Sequence, residues 1–168
     1  MPMQNDIQQE LEVLCGSKLP QEYLALLDLY PSILSSALRS DDGSTEDGTV
    51  ADVELLSSPG DVLDVNKEVR AGMIYEPDGT EFFWPSRMLV IGETGDGDYY
   101  CLDTQREVEG VIQYRHRPVD FVHLTESLDD FVELLIEAFV NITDQDLDEF
   151  DDDEEDEDED ETDDDNPN

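Results

Sequence analysis

The end of the chain carries the feature that most limits how it can fold. From Asp144 to Asn168 there are 18 acidic residues and no basic ones, and residues 151–161 are an unbroken run of Asp and Glu. Like charges repel one another, and this segment has almost nothing apolar to bury, so we expect a disordered tail. The sequence therefore predicts a single domain over residues 1–143 and an acidic tail over residues 144–168.

The part of the chain before the tail is acidic as well. Residues 1–143 hold the remaining 29 of the 47 acidic residues and all 8 basic residues, which leaves a net charge of −21. Such a field attracts basic proteins and repels nucleic acid and anionic membranes. Binding to a phosphate backbone requires clusters of Lys and Arg. We therefore expect a basic protein as partner, with no nucleic acid and no membrane.

The start of the chain shows no targeting signal. Residues 1–10 contain neither a basic residue nor an apolar segment, and no apolar run approaches the roughly 20 residues that span a bilayer. We expect a cytoplasmic protein.

In a reducing compartment, Cys15 and Cys101 are expected to be small buried residues, and no CxxC pair is present to hold a metal. Residues 40–49 are rich in Asp and Gly but lack the spacing of a calcium-binding EF-hand loop. We expect neither cofactor nor metal.

Apolar spacing predicts helices at both ends of the domain. Ile7, Leu11 and Leu14 share one face of a helix that should stop at Gly16. A second helix should start at Pro20 and end before Pro31. Residues 62–69 predict a third helix, after a turn at residues 59–60. In the last helix Ser127 is the expected N-cap, and the apolar stripe consists of Leu128, Phe131, Leu135, Phe139 and Ile142.

The middle of the chain predicts an antiparallel sheet. Residues 88–91 are continuously apolar, which is typical of a strand buried on both faces. Residues 95–97 predict a hairpin turn, and residues 98–103, 111–115 and 121–123 predict the following strands. The order of elements favours an α+β fold, in which the antiparallel sheet is flanked by helices that we expect on one side.

Three segments in this order resemble the SUKH superfamily, the bacterial immunity-protein group that includes the Smi/Knr regulators. The segments are Leu19-Pro20-x-x-Tyr23-x-x-Leu26-Leu27, Ile91-Gly92-x-x-Gly95-Asp96-Gly97-Asp98-Tyr99-Tyr100 and Ser127-Leu128-x-x-Phe131. The resemblance covers about residues 10–142. It implies a single α+β domain that binds other proteins, and many bacterial members are thought to neutralise secreted toxins, often nucleases. The sequence departs from the pattern after Tyr30, where Pro31-Ser32-Ile33 replaces the Asn-Gly that such domains often carry.

Several residues are candidates for contact with a partner. Asp96 and Asp98 lie at the hairpin turn, where Asp suits the backbone geometry, although a carboxylate pair for acid–base catalysis, drawn from Asp96, Asp98 and Asp103, is an alternative. Trp84 is expected in the core, unless it is exposed and anchors a partner. The tail is expected to be either an arm that captures basic partners or a run that only keeps the chain soluble. Its candidate contact residues are Asp151, Asp152, Asp153, Glu154 and Glu155.

The chain contains little that suggests catalysis. Its histidines are His116 and His123, and His116 lies in the basic cluster Arg115-His116-Arg117. We interpret this cluster as a strand-end patch that pairs with nearby carboxylates, with a catalytic or anion-binding histidine as the alternative. The sequence thus predicts a non-catalytic, SUKH-like immunity or regulatory protein that binds its partner stoichiometrically. The rival hypothesis is an acidic chaperone-like protein that shields basic proteins with its tail.

Overall fold

The computed structural model describes residues 2–34, 53–72, 74–75 and 78–148, and only the backbone of Tyr75 and of residues 141–148. Four α-helices lie in these ranges: α1 (Asn5–Cys15), α2 (Gln21–Asp28), α3 (Pro59–Ala71) and α4 (Leu128–Asp148). The strands are β1 (Glu54–Leu55), β2 (Ile74–Tyr75), β3 (Glu81–Phe82), β4 (Met88–Glu93), β5 (Tyr99–Asp103), β6 (Val111–His116) and β7 (Val119–Thr125). The predicted α+β class is confirmed.

The strands form two antiparallel units. Five of them make a sheet in the order β1-β4-β5-β6-β7, and β2 pairs with β3 as a separate two-stranded ribbon. Strand β4 lies inside the sheet, and residues 88–92 are buried, as the apolar run predicts. At Gly92 a Cβ atom would stand 2.8 Å from the backbone oxygen of Glu54. A glycine is therefore required for β1 to approach β4 this closely.

Helices cover both faces of the sheet, so the expectation that they lie on one side is wrong. On one face Phe131 of α4 stacks on Tyr100, with ring centroids 5.3 Å apart. On the other face lie α3 and the ribbon, where Phe82 packs against Phe121 at 5.9 Å. The physical reason is that β4 is apolar on both of its faces, and each apolar face must be covered.

Helix α4 runs towards the end of the sheet at which the β4–β5 hairpin turns. Its first residue, Leu128, lines a surface pocket together with Leu102 of β5. Phe131, one turn later, stacks on Tyr100, which lies nearer the hairpin. The helix starts as predicted, since the Ser127 hydroxyl accepts the Asp130 N–H at 3.0 Å. Its backbone continues to Asp148, five residues beyond residue 143. The rest of the predicted tail, residues 149–168, and the loop 40–49 lie outside the described residues.

Local sequence signals explain where α1 ends and where α3 begins. Helix α1 ends before Gly16, whose φ of 71° is the left-handed conformation that glycine favours. Helix α3 begins at Pro59, so the predicted turn at residues 59–60 is instead the first turn of the helix. A proline fits there because the first N–H groups of a helix have no intrahelical partner.

Side chains of α3 complete the hydrogen bonding of β4 where β1 is too short to do so. Asn66 is fully buried. Its Nδ2 donates to the Val90 oxygen at 2.9 Å, and its Oδ1 accepts the Val90 N–H at 2.9 Å. Arg70 donates to the Asn66 Oδ1 at 2.9 Å and to the Met88 oxygen at 3.0 Å. The Asn66 side chain thus makes the two hydrogen bonds to Val90 that the backbone of a longer β1 would make.

Candidate partner-binding groove

A shallow groove lies on the face of the sheet that carries α3 and the ribbon. It has a volume of about 270 Å³ and is formed by the C-terminal half of α3, strand β2, the β4–β5 hairpin and the centre of the sheet. The lining residues are Glu68, Val69, Gly72, Ile74, Gly97, Tyr99 and Tyr114. The groove is therefore apolar and aromatic, with a carboxylate at its edge.

Two stacked tyrosines form one wall of the groove. Tyr99 and Tyr114 lie opposite each other on β5 and β6, with ring centroids 5.9 Å apart and planes inclined by 27°. Tyr114 is only 2% exposed. In the part of the chain that the structure describes, neither hydroxyl has a hydrogen-bond partner, and both tyrosines line the open groove.

The tyrosine hydroxyls remain protonated at physiological pH. Burial raises the pKa of Tyr99 above its usual value, and the neighbouring carboxylate of Glu68 raises it further. Burial also raises the pKa of Tyr114, with a smaller contribution from Tyr99. Each group can therefore accept one hydrogen bond from a ligand as well as donate one.

Trp84 lies beneath these tyrosines. Its ring meets Tyr114 edge-on at 5.1 Å and Tyr99 at 5.9 Å. Its Nε1 donates to the Met88 oxygen at 2.8 Å, and the residue is 7% exposed. This geometry agrees with the core interpretation of Trp84 and leaves almost no surface for a partner to touch. Trp84 can affect binding only by positioning the tyrosines.

Four carboxylates form a cluster that includes Glu68, which lines the groove. Glu93 lies directly opposite Glu54 across β4 and β1, and Asp61 and Glu68 project from α3. Burial raises the pKa of Glu93 above its usual value, and repulsion by Glu54, Glu68 and Asp61 raises it further. Like charges directly opposite each other destabilise a sheet. Within the described ranges no ion pair with Lys, Arg or His relieves any of these four charges.

The predicted candidates Asp96 and Asp98 organise the hairpin beside the groove. The Asp98 carboxylate accepts the His116 N–H at 3.0 Å and lies 2.6 Å from the His116 Nδ1. Thr94 donates to the Asp96 carboxylate, and this bond lowers the pKa of Asp96. The two carboxylates thus bind different partners within the turn, and the structure confirms that His116 at the end of β6 pairs with a carboxylate. A role of either aspartate in contacting a partner stays a prediction.

The remaining predicted residues divide into buried and undescribed ones. Cys15 and Cys101 are fully buried, and burial raises the pKa of both thiols, so they are packing residues as expected. The tail candidates 151–155 lie outside the described residues. No sequence pattern marks Glu68 or Tyr114, which line the groove, or Glu93, which lies opposite Tyr99 on the neighbouring strand.

The model of the SMI1/KNR4 family (SUKH-1) matches residues 3–135. The chain belongs to this family. The match extends from α1 into α4 and includes every residue that lines the groove. SUKH-1 domains are generally non-catalytic immunity proteins, which is consistent with a protein-binding module. No curated protein and no solved structure matches the chain significantly.

Two further findings concern only the described part of this SUKH-1 chain. None of its helices combines the length and the apolarity that a membrane-spanning segment requires. Its His, Cys, Asp and Glu side chains form no group of three or more that could hold a metal ion.

Proposed function

We propose that this chain is a SUKH-1 immunity or regulatory protein that neutralises a basic partner, for example a toxin nuclease, by stoichiometric binding. The observation that supports the proposal most directly is the groove, where carboxylates and tyrosine hydroxyls lie together and no described Lys, Arg or His side chain pairs with the carboxylates. A partner surface rich in Lys and Arg supplies what these groups lack. The family itself is consistent with protein binding.

The charge of the protein determines how such a partner would be captured. Complementary charge mainly raises the association rate, which can reach about 10⁸–10⁹ M⁻¹s⁻¹ at low salt. The Debye length is roughly 10 Å at 0.1 M salt. Added salt should therefore slow association steeply and change dissociation much less.

The rival candidate, an acidic chaperone-like protein, rests on the run of acidic residues 151–161. A chaperone of this type binds basic proteins through the tail alone and with little selectivity. An immunity protein holds one partner through its folded domain. The two hypotheses therefore assign the affinity to different parts of the chain.

The experiment compares the full chain, residues 1–148 and a peptide of residues 149–168. The shortened chain ends at 148 because the α4 backbone continues that far. Association and dissociation rates are measured over a salt series against the basic protein encoded by a neighbouring gene, with lysozyme as a basic control. We expect residues 1–148 to keep a 1:1 complex and to associate more slowly than the full chain. If the peptide alone reproduces the full affinity, or lysozyme binds equally well, the immunity proposal fails.

A further inference from the structure

The groove has a definite hydrogen-bonding character. Glu68 lines the groove, and Glu93 lies beside it, opposite Tyr99. Their carboxylate oxygens only accept hydrogen bonds when ionised. Tyr99 and Tyr114 add two phenolic oxygens without partners in the described chain, and one of them belongs to a side chain that is 98% buried. A ligand that satisfies this set must bring several donors and a positive charge.

The shape of the groove narrows the choice between cationic groups. Its walls are aromatic and aliphatic, formed by the stacked tyrosines on one side and by Val69 and Ile74 on the other. An ammonium group is a compact, strongly hydrated charge, whereas a guanidinium group is planar, more weakly hydrated and able to stack on aromatic rings. The guanidinium also carries five N–H donors and no acceptor.

We propose that this groove binds the side chain of one arginine of the basic partner. The apolar stem of the arginine packs against Val69 and Ile74, and the guanidinium lies against the tyrosines. Its N–H groups donate to the carboxylates of Glu68 and Glu93 and to the hydroxyl of Tyr114. The inference rests on the proposed function for the identity of the partner, but the groove can be tested without that partner.

The unfavourable arrangement of carboxylates supports the same conclusion. Glu54 faces Glu93 across two strands, and Glu68 and Asp61 approach from α3. In the free protein these charges only repel one another. A bound guanidinium lowers this repulsion, so the binding energy includes the relief of a cost that the folded protein already carries.

The first test uses the full chain and a small probe, N-acetyl-arginine N-methylamide, followed by two-dimensional NMR. We expect saturable shifts centred on Gly97, Tyr99 and Tyr114. The neutral citrulline analogue, which has nearly the same shape, should bind about tenfold more weakly, since each 1.4 kcal/mol is a factor of ten and charge-assisted bonds are the strong ones. The lysine analogue should also bind more weakly. Equal binding of either analogue overturns the assignment to arginine.

Matched variants separate the groove from the general acidity of the protein. Glu68→Gln combined with Glu93→Gln should weaken the probe about tenfold or more, whereas Glu133→Gln combined with Glu137→Gln changes the net charge equally on the exposed side of α4 and should leave binding unchanged. Tyr114→Phe removes one hydroxyl and should weaken binding about threefold. Tyr23→Phe removes a buried hydroxyl elsewhere and should have no effect on binding. Equal losses in both glutamate pairs overturn the proposal.

The same variants distinguish failure of the groove from failure of the proposed function. If the basic partner forms a 1:1 complex with the full chain and the groove variants bind it with unchanged rates, the arginine site is wrong and the function stands. If no basic partner forms such a complex, the proposed function fails. The probe titration then still decides whether the groove selects arginine.

Discussion

Helix α3 presents two polar surfaces that differ in how completely their hydrogen bonds are satisfied. On the side of β4, Asn66 and Arg70 donate to five backbone oxygens, and the Asn66 Oδ1 accepts two further bonds. Towards the groove, Glu68 faces other carboxylates and two tyrosines whose hydroxyls have no described partner. The first surface uses its polar atoms to hold the fold together, apart from the Arg70 Nε. The second leaves them available.

This contrast offers a way to separate structural polar groups from binding ones. A buried polar atom without a partner costs about 1–3 kcal/mol. A polar atom that opens into a groove avoids most of that cost and remains available to a ligand. The two surfaces should therefore respond to mutation in opposite ways: a change at Asn66 reduces stability, whereas a change at Tyr114 reduces binding.

The largest effect is expected at the satisfied surface. Asn66→Ala leaves the N–H and C=O of Val90 buried and unpaired, and we expect it to lower the free energy of unfolding by about 3 kcal/mol. Urea denaturation measures the change. Asp64→Ala, at an exposed position of the same helix, is the control and should stay within about 0.5 kcal/mol of the parent. A small effect at Asn66 would mean that water replaces its amide.

An intermediate effect is expected where an unpaired hydroxyl does not open into the groove. Tyr23 is fully buried and its hydroxyl has no partner among the described residues; burial also raises its pKa strongly. Tyr23→Phe should raise the free energy of unfolding by about 1 kcal/mol. Tyr114→Phe should change it less, because that hydroxyl meets the groove. Thermal and urea unfolding of both variants test this order, and a reversed order would contradict the comparison.

The smallest effect is expected at Glu93, and it depends on pH. Its pKa in the folded protein is raised above the ordinary value of 4.5. Its contribution to stability is therefore most favourable below pH 4.5 and is lost as pH rises through the raised pKa. Glu93→Gln should stabilise the protein at pH 7 by a few tenths of a kcal/mol, since solvent screens a largely exposed charge. Melting curves at pH 4 and pH 7 should show the gain only at pH 7.

The sequence predicts the elements with strong periodicity better than it predicts their assembly. The stripe of Leu128, Phe131 and Leu135 and the stop at Gly16 correctly predict α4 and the end of α1, because both signals are local. The apolar run of β4 already indicates a strand covered on both faces. The expectation of helices on one side conflicts with that run, and the structure follows the run.

The groove could not be predicted because its residues come from separate parts of the chain. Glu68 lies on α3, Tyr99 on β5 and Tyr114 on β6, and each residue alone is ordinary. The strand pattern places Tyr99 and Cys101 on one face, but only the register of β5 with β6 brings Tyr114 opposite Tyr99. Nor does any local pattern reveal that the Asn66 amide bonds a strand 24 residues away.

The direction of α4 sets a limit on what the acidic segment after it can touch. The helix extends about 25 Å beyond Phe131 and ends at Asp148 on the hairpin side of the sheet, where Gly97 also borders the groove. Twenty residues span at most about 70 Å in any conformation. The acidic segment can therefore contact a partner only within a limited radius of the end of α4. A single partner molecule held in the groove can meet the segment only with basic patches inside that radius, and patches farther away remain accessible to other molecules.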